Sequence, residues 1–99
     1  MDQALVEAMS YVAVIAEEGS FARAAEKLKK SPSSVTRKIR GVERSYRAKF
    51  LERSTRQVQL TQLGRLVLPE IQIIVRHSDR VEELMRYYSQ LINGPIRVG

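Results

Sequence analysis

Ser31, Ser33, Ser34 and Thr36 bring four hydroxyls into six residues, and Arg37, Lys38 and Arg40 follow directly. Hydroxyls donate and accept hydrogen bonds, while guanidinium and ammonium groups pair with phosphates and with the acceptor edge of guanine. Held on one surface, this set can read a base pair and grip a polyanion. It does not make a reaction centre. The chain contains no Gly-x-Ser-x-Gly nucleophile elbow, no phosphate-cradling glycine loop and no metal triad. There is no cysteine, so disulfide frameworks and the usual cysteine-based zinc sites are excluded. His77 is the single histidine and reads as a surface or interface side chain. No residue is assigned a catalytic or metal-binding role.

The elements that must hold these groups follow from spacing. Leu5, Ala8, Met9, Val12, Ile15 and Ala16 recur at helical intervals over residues 3–17. Gly19 stops that helix and Ser20 caps the next, which runs from Phe21 to Leu28 with Phe21, Ala24, Ala25 and Leu28 inward. Ser31 caps a third helix, with Pro32 at its first position, where a missing N–H costs nothing. At about 100° per residue, Ser33, Thr36, Arg37, Arg40 and Arg44 share one face. Val35, Ile39, Val42 and Tyr46 share the other. A tight turn between two short helices, the second one cationic, is a helix-turn-helix whose second helix enters the major groove. The plainer reading is an ordinary amphipathic surface helix. The spacing of the preceding helix and turn weighs against it.

Phe50-Leu51-Glu52-Arg53 and Val58-Gln59-Leu60 read as short strands around a polar turn. A hairpin after a reading helix is a wing. Its Arg53 and Arg56 would lie over the backbone or in the minor groove. The fold class is therefore mainly α: a winged helix-turn-helix followed by a long linker helix.

The charge distribution agrees. The 99 residues carry a net +6, with −2 over residues 1–29, +7 over 30–59 and +1 over 60–99. The excess is focused on the reading helix and the turn after it, as polyanion binding requires. A chain this short makes one small domain, or a small domain with an appendage. No apolar run reaches membrane-spanning length, and no basic-then-apolar leader opens the chain. The expected location is the cytoplasm.

Thr61 can cap the last helix, which reads to about Ile92 and carries Pro69 in its early turns, where a bend is expected. Ile71, Ser78, Met85 and Ile92 occupy one heptad position, and Val67, Ile74, Val81 and Tyr88 the other. At 1.5 Å per residue the helix is roughly 45 Å long, more than a domain of this size can cover. A second copy of the helix is the natural cover, with these eight residues at the dimer interface. Asn93-Gly94-Pro95 breaks the helix, and Ile96-Arg97-Val98-Gly99 alternates like the first strand of another unit. This divides the chain into a winged helix-turn-helix at 1–61, a linker and dimerisation helix at 62–92, and a hinge with the start of an effector-binding domain at 93–99.

These motifs resemble the N-terminal part of a LysR-type transcriptional regulator over essentially the whole chain. The residues that carry the likeness are Gly19-Ser20-Phe21-Ala22-Arg23-Ala24-Ala25-Glu26-Lys27-Leu28, Ser31 to Ile39, Val42-Glu43, Glu52-Arg53, Leu60-Thr61-Gln62-Leu63-Gly64 and Gly94 to Gly99. The resemblance implies a linker helix paired antiparallel with a second subunit, homodimers that become tetramers at full length, and imperfect palindromic targets. It implies no cofactor in this segment, and a small-molecule inducer bound by a separate effector domain. It adds RNA polymerase as a further partner and a bacterial, nucleoid-associated setting.

Ser33, Thr36 and Arg37 fall on the family's base-contact positions, and Arg53 on that of its wing arginine. Ser31, Pro32, Arg40 and Arg56 complete the expected DNA-binding set. Pro32 replaces a frequent glutamine. Tyr46 replaces a leucine, and Arg47 stands where a glycine usually ends the reading helix, which predicts a longer helix and one more cation on the DNA side. The competing function is a winged-helix protein–protein module that uses the long helix as its contact surface. The +7 segment on the reading helix and wing argues against it.

Overall fold

The computed structural model describes residues 2–53 and 58–93. The element order is α1 (Gln3–Glu18), α2 (Phe21–Leu28), α3 (Pro32–Tyr46), β1 (Leu51–Arg53), β2 (Val58–Leu60) and α4 (Gln62–Asn93). The mainly α winged helix-turn-helix with a long last helix is therefore what the chain forms.

Local chemistry sets most of the boundaries. Asp2 caps α1 by accepting from the Ala4 amide at 3.0 Å. Gly19 ends that helix in the left-handed conformation, φ 74°, which glycine adopts without cost. The Ser20 hydroxyl accepts from the Arg23 amide at 3.2 Å, and the Ser31 hydroxyl from the Ser34 amide at 3.2 Å, each satisfying an orphan donor of the first turn. Thr61 caps α4 by accepting from the Gly64 amide at 3.0 Å, and its hydroxyl donates to the Lys49 carbonyl at 2.6 Å.

Two helix ends depart from ordinary residue preference. Lys29 and Arg47 both take the left-handed conformation, at φ 60° and φ 54°. Arg47 does not extend α3, contrary to the expectation of a longer helix. It closes the helix itself, because the Ala48 amide reaches back to the Glu43 carbonyl at 3.0 Å. Lys30 does the same to the Ala25 carbonyl at 2.9 Å after α2. The hydrogen bonds that close each helix hold a residue whose Cβ disfavours that geometry by roughly 1 kcal/mol. Lys29→Gly should therefore raise the melting temperature by about 3–6 °C. Thermal unfolding followed by circular dichroism checks this. A lower melting temperature would mean that the Lys29 side chain contributes more than its backbone costs.

The core lies where α1 crosses α2, α3 and the start of α4. Met9, Val12 and Ile15 of α1 are fully buried against Ala24 and Ala25 of α2 and Val35 and Ile39 of α3. Both alanines are buried, on the inner face expected of them. Phe50 and Leu51 close the core from the wing side, and Leu68 and Ile71 from α4. Ala16, expected inward, is exposed. Tyr46, also expected inward, is 47% exposed. It keeps the angular position of Val35, Ile39 and Val42 but sits one turn past the last core layer. Its hydroxyl donates instead to Asp2 Oδ2 at 2.9 Å.

β1 and β2 pair antiparallel with Leu51 opposite Leu60, Glu52 opposite Gln59 and Arg53 opposite Val58. The backbone of α4 stays helical through Pro69.

The apolar stripe of α4 splits in two. Ile71 is buried in its own chain, and Val67 and Ile74 pack half-buried against that core. Ile71, expected at a dimer interface, is thus already covered within the monomer, where it belongs to the core cluster. Ser78, Val81, Met85, Tyr88 and Ile92 are exposed. Leu84, Tyr87 and Leu91, which the heptad reading passed over, are exposed with them. No helix among the described residues is long and apolar enough to cross a membrane.

Candidate nucleic-acid interface

The reading helix is presented by its buried side. Val35, Ile39 and Val42 anchor α3 in the core, so the opposite face must point to solvent. Ser33, Arg37, Arg40 and Arg44 are exposed there, and Thr36 is half-buried. Ser31 and Pro32 are exposed at the helix start, where the Ser31 hydroxyl also lies 3.4 Å from that of Ser33. Among the described residues, Arg37, Arg40 and Arg44 form no ion pair. Unpaired cations on the solvent face of α3, with short hydroxyls at its leading end, are groups available to an external acceptor.

The remaining expected residues belong to the wing. Arg53 closes β1, but its side chain and the whole of Arg56 lie outside the described residues.

Lys38 stands in the same cationic run but faces the other way. Its ammonium pairs with Glu7 of α1 at 2.7 Å. That hydrogen bond holds the Glu7 carboxyl below its ordinary pKa and the Lys38 ammonium above its own. The Tyr46 hydroxyl, with the Ala4 amide, likewise holds the Asp2 carboxyl low. These two links tie the middle and the C-terminal end of α3 to α1 and its cap. Lys27 pairs with Glu17 and Glu18 at 3.2 and 3.4 Å, tying α2 to the end of α1. Lys38 and Lys27 thus position the helices and do not extend the free cationic face.

Glu43 was not singled out as a positioning residue in the sequence. Its carboxylate accepts from the Phe50 amide at 2.7 Å and the Leu51 amide at 3.5 Å, fixing the path from α3 into the wing. A lone glutamate on a basic helix is the one local hint of this role. Among the described residues, no cluster of His, Cys, Asp and Glu could hold a metal ion.

The family described as bacterial regulatory helix-turn-helix protein, lysR family, matches residues 6–65. Two curated relatives are each 32% identical over 91 residues, 92% of this chain. They are the SDS degradation transcriptional activation protein of Pseudomonas sp. (strain ATCC 19151) and the HTH-type transcriptional activator AaeR of Escherichia coli (strain K12). The chain spans about 30% of their length. Among solved structures, the DNA-binding domain of CbnR in complex with DNA is 28% identical. It aligns with a TM-score of 0.74 over 90% of this chain and 99% of that one. The DNA-binding domain of BenM in its catB site 1 DNA complex shares the fold, with a TM-score of 0.78 at 24% identity over 90% of this chain and 97% of that one.

Proposed function

Because the chain belongs to the lysR family of bacterial regulatory helix-turn-helix proteins, we propose that it is the sequence-specific DNA-binding part of a transcription regulator and acts as a dimer on a pseudo-palindromic operator. The observation that carries this reading is the free polar face of α3, opposite the anchors Val35, Ile39 and Val42. Ser33 and Thr36 approach base edges at the leading turn. Arg37 reaches a guanine edge or a phosphate, and Arg40 follows on the same face. Ser31 and Pro32 set the helix start against the backbone, and Arg53 and Arg56 of the wing take the adjacent minor groove. Two copies joined along α4 present two such helices to two half-sites.

The CbnR domain, a relative by fold and sequence, is bound to DNA in its own structure. That supports the reading. The relatives' names as transcriptional activators support the regulatory role. The reading gives the chain no catalytic step and no cofactor of its own. It assigns inducer binding to an effector domain and the setting to the bacterial cytoplasm.

Bound sites selected from random duplexes test it first. On the selected site, Arg37→Ala should cost about 1–3 kcal/mol and relax preference at one base pair in each half-site. Wild-type affinity and preference in a gel-shift titration of Arg37→Ala would remove Arg37 from the readout.

A further inference from the structure

A cleft opens between the C-terminal half of α3 and the wing strands, lined by Arg40, Arg44, Arg47 and Lys49 together with Glu43 and Glu52. All four cations are exposed and none forms an ion pair among the described residues. Neither carboxylate pairs with them among the described residues, since Glu43 accepts from the Phe50 and Leu51 amides, and four cations against two anions leave the lining net positive. Only Arg40 of the four belongs to the expected DNA-binding set.

We infer that this cleft is a saddle for the phosphate strand that separates the major groove from the adjacent minor groove. The inference rests on the DNA-binding reading and deepens it. If α3 lies in the major groove and the wing in the neighbouring minor groove, one sugar-phosphate strand must pass between them. The space between α3 and the wing is this cleft. Helix length leads to the same place. Pro32 to Arg44 spans about 18 Å at 1.5 Å per residue. The major groove is roughly 12 Å wide. A helix that puts its first turn against base edges therefore carries its last turn out over the backbone. Arg44 sits there, with Arg47 and Lys49 directly after it.

Two chain features bring the last cations to that position. Arg47 ends α3 in the left-handed conformation, which turns the backbone toward the strands. The Lys49 carbonyl is held by the Thr61 hydroxyl at 2.6 Å, so the loop carrying Lys49 is fixed to the start of α4. The saddle is thus preorganised, and its contacts are to phosphate, without sequence preference.

The test compares two double variants of the full chain on the selected site. Arg44→Ala with Lys49→Ala should lower the slope of log K against log salt by about 2, since each lost phosphate contact is worth about 0.9. Arg65→Ala with Arg76→Ala removes the same net charge from exposed positions on α4 and should leave the slope within about 0.3 of the starting value. Neutral methylphosphonates placed in the strand between the two grooves should weaken the unmutated chain at least as much as the cleft variant loses. They should weaken the cleft variant far less. Base preference should stay as it was in the cleft variant.

An unchanged slope in the cleft variant, or an equal fall in the α4 variant, overturns the saddle while specific DNA binding stands. Failure of the unmutated chain to select any site overturns the DNA-binding reading, and the saddle with it.

Discussion

Gly64→Ala should destabilise the fold by about 2–4 kcal/mol, lowering the melting temperature by roughly 10–20 °C. A glycine inside a helix normally costs about 1 kcal/mol relative to alanine, so the expected sign is opposite to helix propensity. The reason is contact. Gly64 is buried in the first turn of α4, where a Cβ would overlap the Phe50 carbonyl oxygen and stand 3.2 Å from Leu60 Cδ2. The Phe50 oxygen cannot withdraw easily. It accepts from the Thr61 amide at 3.0 Å, and the Phe50 amide is held by Glu43. Any shift must move the wing strands or the start of α4. Gly41 of α3 supplies the control, because a Cβ built there meets nothing within 4 Å. Gly41→Ala should stabilise by about 1 kcal/mol. Equilibrium unfolding of both variants measures the pair. Stabilisation by both substitutions would show that the α4 start is loose enough to absorb a methyl group.

Most of the fold was legible because its determinants are local. Ser20, Ser31 and Thr61 each satisfy an amide three residues on, and residue type alone announces that. The buried positions of α1 to α3 follow a 3.6-residue period that any amphipathic helix shows. What stayed hidden depends on partners distant in sequence. Nothing in the residue types Lys29 and Arg47 signals the left-handed region. The backbone bonds from Lys30 and Ala48 impose it. Periodicity placed Tyr46 on the inner face but could not say where the core stops. In the site, the hydroxyl and cation face of α3 was legible from the helical wheel. The departure of Lys38 toward Glu7 was not, because Glu7 lies on another helix. The cleft around Arg44 and Lys49 needed the distance between α3 and the strands, which no spacing encodes. The heptad of α4 reported apolar surface without reporting its cover, so Ile71 appeared free when it is buried.

That division of α4 decides how its self-association should be tested. Charge at Ile74 would damage the monomer core, since Ile74 already packs against it. The free part of the stripe is the distal half, where Val81 is 57% exposed, Met85 66% and Tyr88 63%. Leaving such surface in water costs about 25 cal/mol per Å², several kcal/mol over three turns of helix. On the proposed function, a second α4 would cover it and place two reading helices on one duplex. Val81→Glu with Met85→Glu should therefore give a folded monomer with an unchanged melting profile at low concentration. Its affinity for one half-site should stay the same. Its affinity for the full palindrome should fall about 100-fold or more, the advantage that joining two half-sites confers. Sedimentation at increasing concentration reads the assembly, and gel shift on half and full sites reads its consequence. The unmutated chain should sediment as a dimer in the micromolar range. If it remains a monomer at high micromolar concentration, the distal half of α4 is not a self-sufficient dimerisation surface. The two reading helices must then be paired by other parts of the protein.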